Sequence, residues 1–124
     1  FQGLQWKLAD MSIRLAAAQA LVYKAATSGG AADGTGFPDM LQAAQAKVFT
    51  SEAAIQIVND ALQMFGAAGY SRRNPLERMA RDVRMFTIGG GTAEVLRNVV
   101  ASAILKKKLP QTRDGWLRAA KATE

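Results

Sequence analysis

Apolar residues recur along this chain at the spacing of an α-helix. Leu4, Leu8, Met11, Leu15, Ala18 and Val22 step by four and three, which places them on one helical face. Trp6, Ile13 and Leu21 broaden that face. The pattern fades by Ser28, where Gly29, Gly30, Gly34 and Gly36 predict a loop. Pro38 then suits the first turn of a second and longer helix. Leu41, Ala44, Val48, Ser51, Ile55, Val58, Leu62 and Phe65 keep the same spacing, predicting about 42 Å of helix from Pro38 to Phe65. Gly66 is a natural stop.

Asn74-Pro75 reads as an N-cap followed by proline at the first helical position, with Glu77 completing a capping box. Leu76, Met79, Val83 and Phe86 give this third helix its apolar face, and Gly89, Gly90 and Gly91 end it. Thr92 caps a fourth helix carrying Val95, Val99, Ala103 and Ile104. Lys106, Lys107 and Lys108 complement its C-terminal dipole, and Pro110 closes it. A short helix is expected around Trp116. No segment alternates as a strand would. The pattern therefore predicts an all-α antiparallel helical bundle, at least two thirds helix.

Composition narrows the chemistry. The 124 residues suit one domain, and no run approaches the roughly 20 apolar residues of a membrane span. There is no cysteine, hence no disulfide framework. Histidine is absent too, which excludes Ser-His-Asp and Cys-His catalysis and argues against a transition-metal site. Acid-base chemistry falls to the ten carboxylates or to another chain. The net charge of +6 suits an anionic ligand, although many soluble domains carry such a charge without one. Phe1 opens inside a helical pattern with no cap, so a piece of a longer polypeptide is expected. The cytoplasm is the expected compartment, or an organelle matrix where a targeting segment has been lost.

Two glycine-rich turns carry the candidate chemistry. Gln63-Met64-Phe65-Gly66-Ala67-Ala68-Gly69-Tyr70 ends the long helix in a turn. Ile88-Gly89-Gly90-Gly91-Thr92-Ala93-Glu94-Val95 runs glycines into a capped helix, whose N–H groups and dipole suit an anion. Each alone is weak: the first is usually a helix cap, and the second is neither a Walker loop nor a dinucleotide fingerprint.

Taken together they are specific. Gln63 to Tyr70, then Pro75 to Asp82 (Pro-x-Glu-Arg-x-x-Arg-Asp), then Gly91 to Arg97 (Gly-Thr-x-Glu-x-x-Arg) resemble the C-terminal signature of acyl-CoA dehydrogenases. The opening Phe1-Gln2-x-x-Gln5 with Leu8-Ala9-Asp10-Met11 is similar to that family's helix entering this domain. The resemblance covers about Phe1 to Leu109. It implies a flavoenzyme that introduces a Cα–Cβ double bond into an acyl-CoA thioester, with FAD as cofactor and an electron-transfer acceptor as partner. It further implies that the N-terminal helical and middle β domains hold much of the flavin and substrate. Gln63, Phe65, Gly66 and Ala67 would line the FAD of a partner chain. Thr92, Ala93 and Glu94 would meet FAD phosphates or ribose. Gly90 and Gly91 would lie beside the substrate thioester.

One departure matters. The commonest family pattern is Tyr-Glu-Gly-Thr, whose glutamate is the catalytic base; Gly89-Gly90-Gly91-Thr92 stands there instead. The base position is Gly90, so no catalytic residue is expected in this chain. A branch that includes isovaleryl-CoA dehydrogenase also has a small residue at this place and carries its glutamate on an upstream helix. Glu94 is no substitute, because the helix dipole alone explains a carboxylate there. Arg81-Asp82 reads as a structural pair, with Arg72, Arg73, Arg78 and Arg84 solvated or at an interface. Met64, Met79 and Met85 read as core filler.

Two alternatives stand beside this reading: a basic helical nucleic-acid-binding module using Arg72 to Arg84 and Lys106 to Lys108, and a stand-alone oligomerisation module. In the resembled family the first long helix of the domain precedes Phe1. The bundle is therefore expected to lack one wall and to form a homo-oligomer, a dimer in the simplest case.

Overall fold

The computed structural model describes residues 1–29 and 36–110, together with 115 and 118; the helix expected around Trp116 falls outside them. Helix accounts for 75% of the described residues, and none of them is in a strand. The elements are α1 (Gln2–Thr27), α2 (Met40–Phe65), α3 (Ala67–Tyr70), α4 (Leu76–Met85) and α5 (Ala93–Ile104).

α2 is the spine. α1 runs antiparallel to it, tied near one end by Lys7 to Asp60 (2.6 Å) and at the other by the Asp39 N–H donating to Ser28 Oγ (2.8 Å). α4 and α5 also pack on α2 and return along its length one after the other, while α1 packs on α2 alone among the described helices.

The packing chemistry is that of small residues. Ala44, Ser51 and Val58 recur every seven positions and are buried, and Ala46 and Ala53 form a second buried stripe. Ala53 faces α1 beside Leu15, Ala18 and Val22, whereas Ile55, on the first stripe, faces the start of α5. The sequence pattern shows one stripe on this helix, and the second is made of alanines whose weak hydropathy conceals it. Small side chains let the helix axes come close. No large side chain is fully buried among the described residues.

Three expectations change in detail. Pro38 lies before the helix rather than in its first turn: Asp39 is the N-cap, its carboxylate accepting from the Gln42 N–H at 2.9 Å. After Gly66 the chain makes a further helical turn, α3, before reaching α4. Gly69 within it permits this close return, since a Cβ there would stand 2.8 Å from both the Leu62 carbonyl oxygen and the Phe65 Cβ. Pro75, expected as the first helical residue, is instead the N-cap of α4; Asn74, one place earlier, accepts from the Leu76 N–H at 3.0 Å, and Glu77 pairs with Arg81 instead of closing a capping box.

The predicted side-chain roles shift as well. Arg81 pairs with Glu77 and Arg78 with Asp82 (3.7 Å), so the expected Arg81–Asp82 pair does not form; on a helix, partners four apart share a face and adjacent residues do not. Met79 and Met85 are exposed and Met64 half-buried, so the methionines are not core filler within this chain. Trp6 (68% exposed), Leu8, Ile13, Leu15, Val22 and Tyr23 leave much of α1 apolar and bare.

Candidate functional site

The site is built where α4 gives way to α5. Met85 ends α4, and the chain turns through Phe86, Thr87, Ile88 and the three glycines. Gly90 and Gly91 both take positive φ, +68° and +89°, a backbone that side-chain-bearing residues rarely adopt. Thr87 is buried and holds the turn from within. Its hydroxyl donates to the Arg84 carbonyl (3.0 Å), and its own carbonyl accepts from the Ala93 N–H (3.0 Å). Thr92 Oγ1 then accepts from the Val95 N–H at 3.2 Å, the cap expected from the sequence.

From α2, two side chains reach this turn. Lys47 Nζ donates to the Gly91 carbonyl, and Glu52 pairs with Arg97 on the first turns of α5 at 2.7 Å. Glu52, Ile55, Arg84, Thr87, Ile88, Thr92, Ala93 and Glu94 border a recess of about 200 Å³.

Within it the helix N-terminus is partly satisfied by the protein itself. Ala93, 2% exposed, gives its N–H to Thr87. The Glu94 carboxyl is held below the usual carboxylate range, first by its own backbone N–H, then by the Thr92 hydroxyl and by the Arg97 and Arg84 charges. A carboxylate so stabilised is a poor proton acceptor, in keeping with the exclusion of Glu94 as a base.

The second group lies elsewhere. Gln63, Phe65 (58% exposed), Gly66 and Ala67 are all exposed at the far end of α2. At the helical rise Gln63 and Phe65 sit roughly 12–15 Å along α2 from Ile55, which borders the recess, and Gly66 and Ala67 lie beyond the end of that helix. Thr92, Ala93 and Glu94 are thus gathered with Gly90 and Gly91, and the Gln63–Ala67 group is not. Lys47, Glu52 and Thr87 were not singled out from sequence. Their signal was present for two of them, as charged residues beside the apolar stripe of a long amphipathic helix.

Residues 1–105 match the family described as the acyl-CoA dehydrogenase C-terminal domain. The chain belongs to the acyl-CoA dehydrogenase family. Its relatives in that family include the 3-sulfinopropanoyl-CoA desulfinase of Advenella mimigardefordensis, 59% identical over 97% of this chain and 29% of that protein. The short-chain-specific acyl-CoA dehydrogenase of Clostridium acetobutylicum is 40% identical over 86% of this chain and 27% of its own length. Among solved structures, butyryl-CoA dehydrogenase from Megasphaera elsdenii superposes with a TM-score of 0.77 at 40% identity, covering 85% of this chain and 26% of that one. The chain therefore spans little more than a quarter of the length of the relatives it matches. The nucleic-acid alternative gains no support: Arg78, Arg81 and Arg97 are engaged with carboxylates. No described helix is long and apolar enough to cross a membrane.

Proposed function

We propose that this chain serves as the C-terminal domain of an FAD-containing enzyme acting on an acyl-CoA thioester, and that its reaction is desulfination of 3-sulfinopropanoyl-CoA. The observation that carries the second clause is the identity to relatives called 3-sulfinopropanoyl-CoA desulfinases, and Gly90 is compatible with it. At the position where the family's base is common there is no side chain, and the backbone there is left-handed. Relatives called 3-sulfinopropanoyl-CoA desulfinases are 55–60% identical, against 39–41% for those called acyl-CoA dehydrogenases, and this favours the same choice. Desulfination replaces the C–S bond at Cβ by C–H and releases sulfite, with water supplying the proton and the hydroxyl. It consumes no electron acceptor and asks for no carboxylate to take the α-proton.

The chain's residues fit part of an FAD. Gln63 and Phe65 flank the open turn at Gly66, where an added Cβ would meet nothing within 4 Å, leaving room for a planar ring from a partner chain. Glu94, being anionic, suits ribose hydroxyls better than phosphates, and Thr92 stands beside it. Gly90 and Gly91 give the thioester a surface without side chains. When bound, the flavin supplies the redox-active ring, and the rest of its binding falls to other parts of the enzyme.

Dehydrogenation across Cα–Cβ is the second reading, favoured by the 40% identity to the short-chain dehydrogenase, and it requires a carboxylate from outside this chain. The decisive experiment gives the full-length enzyme 3-sulfinopropanoyl-CoA and, separately, butanoyl-CoA with an acceptor dye. Sulfite release without dye reduction is expected; dye reduction with butanoyl-CoA and no sulfite would overturn the desulfinase reading. The 124-residue chain alone is expected to turn over neither and to purify without yellow colour. The bare apolar face of α1 supports self-association, most simply a symmetric dimer in the cytoplasm of a bacterium, and sedimentation equilibrium at micromolar concentration tests it. A concentration-independent 13.3 kDa species would refute it.

A further inference from the structure

The turn at Gly90 and Gly91 poses a physical question. Two consecutive glycines have the greatest conformational freedom of any dipeptide, so nothing intrinsic to them selects the observed backbone. Neighbouring bonds hold each side of the turn. On the α4 side, the Gly89 N–H donates to the Met85 carbonyl at 2.8 Å. On the α5 side, Ala93 is fastened to Thr87. The Gly91 carbonyl lies between these ties and ahead of the helix, where no intrahelical N–H reaches it. Its partner is the ammonium of Lys47, forty-four residues earlier on α2. Among the described residues no carboxylate lies within ion-pair distance of Lys47, so the charge is devoted to that carbonyl. Glu52, which could have competed for it, is engaged by Arg97.

We infer that Lys47 is a positioning residue: its bond to the Gly91 carbonyl fixes the Gly90–Gly91 backbone against which the thioester of the acyl-CoA lies. This rests on the functional reading above, which sets Gly90 and Gly91 beside the substrate. The rigid spine thereby sets the position of the most pliable part of the site. A charged donor to a carbonyl is among the stronger hydrogen bonds, and the anchoring of the Lys47 stem on α2 limits where that carbonyl can lie. Displacing a substrate-contacting backbone by about 1 Å is enough to slow chemistry as much as a hundredfold.

Two measurements separate the clamp from its consequence. Lys47→Met keeps the aliphatic stem and removes the charge. In the 124-residue chain, amide exchange of Gly89 and Ala93, the hydrogen-bonded amides on either side of the turn, is expected to rise at least tenfold in this variant, while exchange in the middle of α2 stays within twofold. In the full-length enzyme, kcat for sulfite release from 3-sulfinopropanoyl-CoA is expected to fall between about ten- and a hundredfold. KM should stay within threefold, flavin content should be unchanged, and Lys47→Arg should recover most of the loss. Lys47→Gln serves as a second charge-free variant should the methionine chain fold poorly. Unchanged exchange at Gly89 and Ala93 would overturn the clamp, whatever the activity. Faster exchange with an unchanged kcat would overturn its role in catalysis. Absence of wild-type turnover on any acyl-CoA would defeat the substrate reading, with the exchange result still deciding the clamp.

Discussion

The two flanks of α2 are finished to different degrees. At the turn between α4 and α5 the contacts close on themselves: Ala93 and Thr87 are buried, Glu52 meets Arg97, and Lys47 meets the Gly91 carbonyl, although Phe86, Ile88 and Ile104 on that side stay exposed. On the α1 side the ties lie near the ends, at Lys7–Asp60 and Ser28–Asp39, and most large apolar side chains of α1 face outward. The turn at the start of α5 is specified within the chain, whereas α1, like the outer faces of α4 and α5, leaves apolar side chains for something else to cover. Hydrophobic stabilisation follows apolar area removed from water, so the same residue types carry very different weight on the two sides.

Substitutions sharpen that contrast, beginning with the largest expected effect. Gly69→Val drives a side chain against the Leu62 carbonyl and the Phe65 Cβ, and is expected to cost about 3 kcal/mol in denaturant unfolding. Ala93→Leu overfills the α2–α5 contact and should cost about 2 kcal/mol. An effect below about 0.5 kcal/mol for Ala93→Leu would mean that this flank is looser than its burial implies.

Gly90→Glu meets no neighbour but demands a left-handed backbone, so a loss of about 1–2 kcal/mol is expected from strain alone. Thr92→Ala removes the α5 cap and should cost about 1 kcal/mol. Trp6→Gln and Ile13→Gln on α1 should change the stability of the dissociated chain by no more than about 0.5 kcal/mol while weakening self-association. A large loss in the dissociated chain would erase the distinction between the flanks.

Glu94 adds a pH test on the finished side. Its folded-state pKa lies below the ordinary value of 4.5. Its contribution is therefore complete above that value and lost as pH falls from there through the depressed folded pKa. Glu94→Gln should flatten the acid limb of a thermal-unfolding series across that window. An unchanged limb would mean that the Thr92 and backbone contacts do not favour the charged form.

Much of this architecture was legible in the chain itself, because amphipathic spacing and capping residues act locally. The extents of the first two long helices, the stop at Gly66 and the Thr92 cap all follow from such signals. What escaped depended on tertiary contact. The Ala46–Ala53 stripe carries too little hydropathy to stand out, and α3 depends on the close return that Gly69 permits. The Arg78–Asp82 and Arg81–Glu77 pairs follow helix geometry rather than adjacency in sequence. At the candidate site, the recurrence of glycines and Thr92-x-Glu94 marked a turn whose residues the structure brings together. Lys47 lies more than forty residues away, and no local pattern links it to Gly91.

The left-handed backbone at Gly90 also bears on how this lineage can change. A single base substitution turns some glycine codons into glutamate, so on the functional reading proposed above a carboxylate at this place is, for those codons, one genetic step away. That step would place a side chain on a backbone shaped for its absence, in a loop held from α2. Recovering a base at this place therefore calls for a coordinated change, the new residue together with a relaxed loop. Directed evolution toward dehydrogenation should accordingly find its first productive mutations around Lys47 and Gly91, before any at Gly90.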